Sequence, residues 1–388
     1  MNPVCSTVRV SLVLVVLLAR AALAADSSPP RRRGEAAAAE PAVQTARWKC
    51  RRVLYNDDGS AASRSVAARG KDAAPLASDD VRPRIEEVAY AESRVDTVLL
   101  CINAQSTYYP TKVGTMAGTP PSPSDGNAVN LKALFDAGVD PYAVMLAETK
   151  RRGREALLSF RMNDDHGADF QTTQFWVDQP ECRLGRKALD FGCEEVRDYI
   201  ARLIEEAVRR YDCDGIELDF NRFPTFFKDG ATDERVAKMN SLVKRVRETL
   251  DEVGRERGRH LVLAVRVPSN YNRTPPTPET ARQLGCDVAA WAGNGWLDFV
   301  VVSEWLHERG DLPVSQWKGA ITSVPVYFGI ECAWPASRRA EMGRTYLSAD
   351  DYRRAAGRLV KAGADGVYLF NFFCGPEPPF EVLCELGK

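Results

Sequence analysis

The sequence predicts an α/β protein that folds as a (β/α)8 TIM barrel with long loops after its second and third strands. Two observations predict this fold: eight short apolar runs are typical of strands, and amphipathic stretches with a helical period separate them. Strands that alternate with helices form right-handed βαβ units and hence a parallel sheet. A doubly wound open sheet is the alternative, but the first strand leads into Asn56-Asp57-Asp58-Gly59, which lacks the glycine spacing of a phosphate-binding turn.

The predicted strands are rich in Val, Ile, Leu and Phe, and they span residues 52–56, 96–103, 156–162, 215–220, 261–267, 298–303, 324–328 and 366–372. Helices are predicted over residues 141–152, 193–211, 232–256, 277–291 and 348–362. Thr232 and Ser348 stand where an N-cap is expected, each followed by acidic residues in the first turn. Gly153 and Gly363 stand where a left-handed residue ends a helix.

The charge balance argues for an uncharged partner. The 388 residues include 52 lysines and arginines and 53 aspartates and glutamates. The net charge is therefore close to zero and would not attract nucleic acid or an anionic membrane. The length suits one large domain with ample core-forming residues.

The N-terminus has the pattern of a secretory signal peptide over residues 1–24. Arg9 precedes an apolar run over 10–18, and Ala22-Leu23-Ala24 forms a small-residue cleavage site. A Pro-, Arg- and Ala-rich stretch over 25–46 is expected to be a disordered linker, so residues 47–388 form the single barrel domain. The sequence thus predicts a secreted or periplasmic protein without stable membrane insertion; an uncleaved anchor is the alternative.

Removal of the signal peptide leaves nine cysteines, an odd number that implies at least one unpaired thiol in a monomer. Export permits disulfides, and Cys182 with Cys193 or Cys374 with Cys384 are close enough in sequence to pair. The cysteines show no zinc-ribbon or redox spacing, and Cys101 is expected to be a buried free thiol. No cofactor is predicted.

Long connections follow the second and third strands, over residues 105–130 and 163–189, and barrel active sites are built on this C-terminal face. Nearly every predicted strand ends in a polar side chain. The candidate substrate-binding residues are Asn56, Asn103, Arg161, Asn163, Asp164, His166, Glu217, Asn221, Arg266, Tyr327, Trp334 and Asn371.

Amides, carboxylates and arginines beside aromatic rings suit a carbohydrate, because hydroxyls need donors and acceptors while sugar faces pack on rings. Trp176, Trp305 and Trp334 lie near predicted strand ends. A metal site is a weaker alternative, with Asp164, Asp165, His166 and Asp169 as its ligands.

Residues 211–224 concentrate the strongest polar pattern on a strand-like run, in which Glu217, Asp219 and Asn221 alternate with apolar residues. The run Asp214-Gly215-Ile216-Glu217-Leu218-Asp219 resembles the Asp-Gly-x-Asp-x-Asp signature of family 18 chitinases, although Asn221 stands where those enzymes place an acid glutamate. The chain is more similar to bacterial family-10-like glycosidase barrels over residues 194–219, 297–301 and 363–371. This resemblance implies a TIM barrel and a glycosidase.

Glycoside cleavage uses two carboxyl groups that flank one bond. We expect Glu217 to be buried and paired with Arg161 or Arg266, and Asp219 to be the more exposed acid that faces the substrate. Glu304 is the expected second catalytic carboxylate and Glu331 the next candidate, while Asn163, Asn371 and Tyr327 would position hydroxyls. A non-catalytic carbohydrate-binding barrel and a metal-assisted hydrolase or deacetylase remain alternatives.

Overall fold

The computed structural model describes residues 52–59, 76–122, 126–268, 276–304, 310, 312–334, 345–374 and 377–387. The predicted signal peptide, the predicted linker and Trp305 lie outside these ranges.

Eight parallel strands close into a barrel, in which the first strand pairs with both the second and the eighth. They are β1 (Arg52–Asp57), β2 (Val95–Cys101), β3 (Glu155–Arg161), β4 (Gly215–Asp219), β5 (Val262–Arg266), β6 (Phe299–Val302), β7 (Val326–Ile330) and β8 (Gly366–Phe370). The predicted (β/α)8 TIM barrel is confirmed, with each strand within about two residues of its predicted bounds.

The helices of the described residues lie between these strands. They are α1 (Pro83–Glu86), α2 (Gly126–Asp136), α3 (Pro141–Arg151), α4 (Gln174–Asp178), α5 (Glu194–Arg210), α6 (Thr232–Arg257), α7 (Pro278–Gln283), α8 (Val288–Gly293), α9 (Val314–Ala320) and α10 (Ala349–Lys361). In the described part of the chain, none is both long and apolar enough to cross a bilayer.

Three local predictions about helices are wrong. The predicted helix over 277–291 is two helices, because Gly285 adopts a left-handed φ of 95° and Asp287 caps a new helix by accepting from the Ala290 amide. Thr232 is the first helical residue rather than the N-cap, which is Ala231. The end of the long connection predicted over 105–130 is already helical, because α2 begins at residue 126.

The barrel interior is apolar in its lower part and polar toward the carboxyl ends of the strands. An inner cluster separate from the outer core consists of Leu54, Leu99, Leu157, Val262, Ala264, Phe299, Val301, Tyr327, Tyr368 and Phe370. Side chains on a strand alternate between faces, so Glu217 and Asp219 share the inward face of β4 while Ile216 and Leu218 join the outer core. The acids of β4 therefore lie inside the barrel.

Candidate active site

Strand register places three charged residues side by side at the carboxyl end of the barrel. Arg161 on β3 pairs with Asp219 on β4, which pairs with Arg266 on β5. One level deeper, Ser159 and Ala264 flank Glu217 in the same way. Two acids on one strand therefore occupy successive levels of the barrel interior.

Arg266 links two carboxylates from different strands. Its Nη2 donates to Glu331 Oε1 at 2.9 Å, its Nη1 to Asp219 Oδ2 at 3.4 Å, and its Nε to Ser303 Oγ at 2.7 Å. The guanidinium carbon also lies 3.8 Å from the ring centroid of Phe370. Burial disfavours the charged form, but the surrounding acids outweigh this and raise the pKa of Arg266.

Glu217 is buried among uncharged donors. Its Oε1 accepts hydrogen bonds from Asn56 Nδ2 at 3.1 Å, Ser159 Oγ at 2.7 Å and Tyr368 OH at 3.1 Å. Burial, followed by the charge of Asp219, raises the pKa of Glu217 to about 7. This carboxyl group therefore keeps its proton to a higher pH than an exposed glutamate does.

The expected pairing of Glu217 with Arg161 or Arg266 is wrong. Arg266 lies one level above Glu217 and its hydrogen bonds go to Asp219, Glu331 and Ser303. Arg161 points toward the loop that follows β3, where its Nη1 donates to Asp164 Oδ2 at 2.7 Å. The register between neighbouring strands decides these partners, and the sequence of a single strand does not determine that register.

Asp219 differs in exposure from the prediction. It is 1% exposed, so it is not the open member of the pair. Its Oδ1 accepts from the backbone amide of Asn221 at 2.9 Å, and its Oδ2 faces Arg266. The acid is held in place by its own loop and by the guanidinium.

A second polar group lies beside the first, around Asp164 and His166. Asp164 Oδ1 contacts His166 Nδ1 and accepts from Gln171 Nε2 at 2.7 Å. His166 Nε2 lies 3.3 Å from Arg222 Nη2, and 42% of the His166 side chain is exposed. Burial alone would raise the pKa of Asp164, but Arg161 and His166 outweigh it and hold this pKa below its usual range. His166 therefore lies between the buried Asp164 and solvent.

Several predicted substrate-binding amides hold loops in place. Asn163 donates to the carbonyls of Leu189 (2.9 Å) and Thr225 (2.7 Å), and its Oδ1 accepts from the Leu189 amide at 2.9 Å. Asn103 makes two hydrogen bonds to the backbone of Arg161.

Asn221, at the position of the missing glutamate, joins the end of β4 to the end of β6. Its Nδ2 donates to the Glu304 carbonyl at 2.8 Å and to Ser303 Oγ at 3.1 Å. It therefore positions the backbone that carries Glu304, which is buried.

The remaining predicted residues are spread over the same face and the barrel interior. Tyr327 belongs to the inner cluster and packs edge-on against Phe299. Asn371 has a left-handed φ of 55° directly after β8, and Trp334 is half-buried against the outer core. The ring of Trp176 faces Arg183 and Lys187, whose cationic groups lie 3.8 and 4.5 Å from its centroid.

The acids of the metal alternative bind different partners. Asp164 contacts the side chains described above, whereas Asp165 accepts from the backbone amides of Arg186, Lys187 and Ala188. Among the described residues, three candidate metal-ligand side chains come together elsewhere, at Cys182, Cys193 and Glu195.

Sequence reasoning missed Ser159 and Tyr368, which hydrogen-bond Glu217, and Gln171, which bonds Asp164. Ser303 and Arg222, which follow β6 and β4, also lie at this site but are not among the candidate residues predicted from the sequence. A period-two reading of β8 already puts Tyr368 and Phe370 on one face, which is the signal that could have found the tyrosine.

Comparison with solved structures gives the class of barrel. No protein-family model matches the chain, and no curated protein matches it significantly. A glycoside hydrolase family 18 N-acetylglucosaminidase from Paenibacillus barengoltzii is 14% identical, with a TM-score of 0.47 over 87% of this chain and 100% of that one. Chitinase ChiW from Paenibacillus sp. FPU-7 is 11% identical, with a TM-score of 0.50 over 86% of this chain and 32% of that one. A chitinase from Chromobacterium violaceum is 14% identical, with a TM-score of 0.46 over 86% of this chain and 98% of that one.

At these identities the likeness concerns the fold. The chain is a TIM barrel of the architecture found in glycoside hydrolases, and it corresponds to about a third of the length of ChiW. The resemblance to glycosidase barrels predicted from the sequence is confirmed at this level.

Proposed function

We propose that the protein is an exported glycoside hydrolase that cleaves a polysaccharide or oligosaccharide with two carboxyl groups at the C-terminal face of the barrel. The observation that carries this proposal is the sharing of Arg266 by Asp219 from β4 and Glu331 from the end of β7. A guanidinium that contacts two acids from different strands brings them to one place, and glycoside cleavage needs two carboxyl groups around one bond.

The chemistry divides between an ionised acid and a protonated one. The ionised carboxylate activates water or attacks the anomeric carbon, while the protonated group donates its proton to the leaving oxygen. Asp219, held by Arg266 and by the Asn221 amide, is one member of the pair. Glu331 is the second carboxyl that the geometry favours, because it shares the guanidinium, and Glu304 remains the alternative.

The test is hydrolysis of a glycan panel with detection of new reducing ends, using purified protein. Asp219→Asn and Glu331→Gln are expected to fold normally and to lose activity by about 1,000-fold, because each removes one group of the acid pair. Asp136→Asn, an exposed acid on α2, is the matched control and should retain full activity. Normal hydrolysis by a folded Asp219→Asn variant would overturn the proposal.

A non-catalytic carbohydrate-binding barrel is the second candidate, because Arg266 already pairs with both acids and Asp219 is 1% exposed. It predicts glycan binding without new reducing ends, and Asp219→Asn would then weaken binding rather than turnover. Calorimetry with the same glycans separates the two functions.

A further inference from the structure

The loop that follows β3, residues 162–193, brings two cysteines together at its end. Cys182 ends a short 3-10 turn (Pro180–Cys182), and Cys193 directly precedes α5. Their Sγ atoms lie within 4.8 Å of each other. Cys182 is buried and Cys193 is half-buried, so Cys193 is the more accessible of the two residues.

Backbone contacts hold the two cysteines close whether or not a bond joins them. The Asp190 amide donates to the Cys182 carbonyl at 2.7 Å, and the Cys193 amide donates to the Asp190 carbonyl at 3.0 Å. Arg183 and Leu189 form an antiparallel bridge between these contacts. A change of rotamer about the Cα–Cβ bond moves a sulfur by about 3 Å, and a disulfide bond needs an Sγ–Sγ distance of about 2 Å.

The same segment, residues 182–193, supports the exposed end of the candidate active site. Asp165 accepts from the amides of Arg186 at 3.2 Å and Ala188 at 3.1 Å, and Asn163 bonds both backbone groups of Leu189. Residues 163 and 165 flank Asp164, and residue 165 directly precedes His166. Segment 182–193 therefore fixes the backbone that presents the Asp164–His166 pair.

We propose that Cys182 and Cys193 form a disulfide bond that locks segment 182–193 beneath the Asp164–His166 pair. The Cys193 thiolate attacks a small-molecule or protein disulfide, which releases one thiol and leaves a mixed disulfide on Cys193. The Cys182 sulfur then attacks Cys193 Sγ and releases the second thiol. The two cysteine protons end on the released thiols, the oxidant disulfide is reduced, and the two cysteines are oxidised.

The buried position of Cys182 favours an uncharged disulfide bond over a thiolate. Burial, followed by the neighbouring Cys193 thiol, raises the pKa of Cys182 to about 12, so its thiolate forms rarely and the closing attack on Cys193 is the slow step. A disulfide carries no charge. Formation of the bond in the cell rests on the proposed export to an oxidising compartment, whereas its formation in vitro does not.

The experiment uses the purified chain treated with oxidised glutathione, blocked with iodoacetamide and digested without reduction. Mass spectrometry is expected to find a peptide in which Cys182 is linked to Cys193. Reduction should lower the melting temperature by about 5 °C, because a short closed loop constrains the unfolded chain. The result concerns only the thiols, so a failed glycan assay and a failed cross-link are distinguishable.

Variants supply the control. The double variant Cys182→Ser/Cys193→Ser should lose the shift of about 5 °C on reduction, whereas Cys384→Ser, which cannot form a Cys374–Cys384 pair, should keep it. Complete alkylation of both cysteines after oxidation would overturn the proposal. So would tightly bound zinc released by a thiol reagent, because Glu195 also lies within 4.8 Å of both sulfurs and could complete a metal site.

Discussion

Glu217 is the residue whose protonation should change the stability of the whole protein. It lies inside the barrel, where Asn56, Ser159 and Tyr368 all donate to one oxygen. Burial first, and then Asp219, raises its pKa from 4.5 to about 7. The unfolded chain releases this proton near pH 4.5, whereas the folded chain keeps it until about pH 7.

This difference predicts a loss of stability as pH rises. Between pH 4.5 and 7 the folded state binds more protons than the unfolded state, so the free energy of unfolding falls with pH. The contribution is complete below pH 4.5 and is lost by about pH 7, with a total near 3 kcal/mol from the size of the shift. Urea denaturation at a series of pH values measures it.

Glu217→Gln should remove that pH dependence, because the amide oxygen can accept the same hydrogen bonds and never ionises. The variant is expected to unfold at higher urea concentration than the natural protein at pH 8 and at a similar one at pH 4. Glu279→Gln on α7 is a surface control that should leave the slope in place. An unchanged slope in Glu217→Gln would mean that another group titrates in this window.

For single residues, the sequence predicts on which face of a strand a side chain lies, but not which residues that side chain contacts. Period-two alternation on β4 correctly puts Glu217 and Asp219 on the polar face. The choice of Arg266 for Asp219, and of Ser159 for Glu217, depends on how far neighbouring strands are shifted along one another. That shift is a property of the closed barrel, so the sequence could not supply it.

At the scale of elements, β4 and β5 approach so closely at Gly215 that a side chain has no room. A Cβ at Gly215 would lie 2.2 Å from the carbonyl oxygen and 2.6 Å from the amide nitrogen of Val262. Both are backbone atoms of the paired strand, so relief requires the strands to move apart. Glu217 and Asp219 stand two and four residues further along the displaced strand.

Gly215→Ala is therefore expected to lower the free energy of unfolding by roughly 3 kcal/mol, at the upper end for overpacked cores. Gly357→Ala is the matched control, because that exposed glycine lies inside α10 with no atom within 4 Å of the added Cβ. It should stabilise the protein by about 1 kcal/mol through helix propensity. Urea denaturation distinguishes the two, and equal effects would contradict the close approach.

Helix ends show which local signals are reliable. The prediction at Ser348 is confirmed because its side chain and that of Asp351 satisfy each other's backbone amides. The prediction at Thr232 is wrong by one residue, since Ala231 takes the extended cap conformation without any side-chain bond. Gly153 and Gly363 do adopt left-handed conformations, at φ values of 70° and 102°, just after α3 and α10. A reciprocal pair of side chains, or a required backbone conformation, is visible in sequence, whereas an uncapped start is not.

At the scale of the whole molecule, the barrel joins the first and last strands of the described chain. Pairing of β1 with β8 closes the sheet, and the segment after β8 continues to a 3-10 turn over Phe380–Cys384. There the Leu383 carbonyl accepts from the Arg94 amide at 2.9 Å, just before β2. The C-terminal 3-10 turn is thus hydrogen-bonded to the residue before β2, on the opposite side of β1 from β8.

Burial, rather than surface charge, should account for the stability of this contact. Leu383 is fully buried, whereas Arg353 and Glu385, which form an ion pair beside it, are 39% and 34% exposed. Leu383→Ala removes buried methyl groups and leaves a cavity, at an expected cost of about 3 kcal/mol. Glu385→Gln removes a largely solvated ion pair with Arg353 and should cost less than about 1 kcal/mol.

Thermal and urea unfolding of the two variants measure this difference. Because the segment crosses from the end of β8 to the residue before β2, on the other side of β1, Leu383→Ala should lower the midpoint of one cooperative transition rather than create a second, earlier one. Circular dichroism and tryptophan fluorescence should therefore give the same midpoint. Separate midpoints would mean that the C-terminal segment detaches while the barrel stays closed, and that β1 and β8 hold the seam without it.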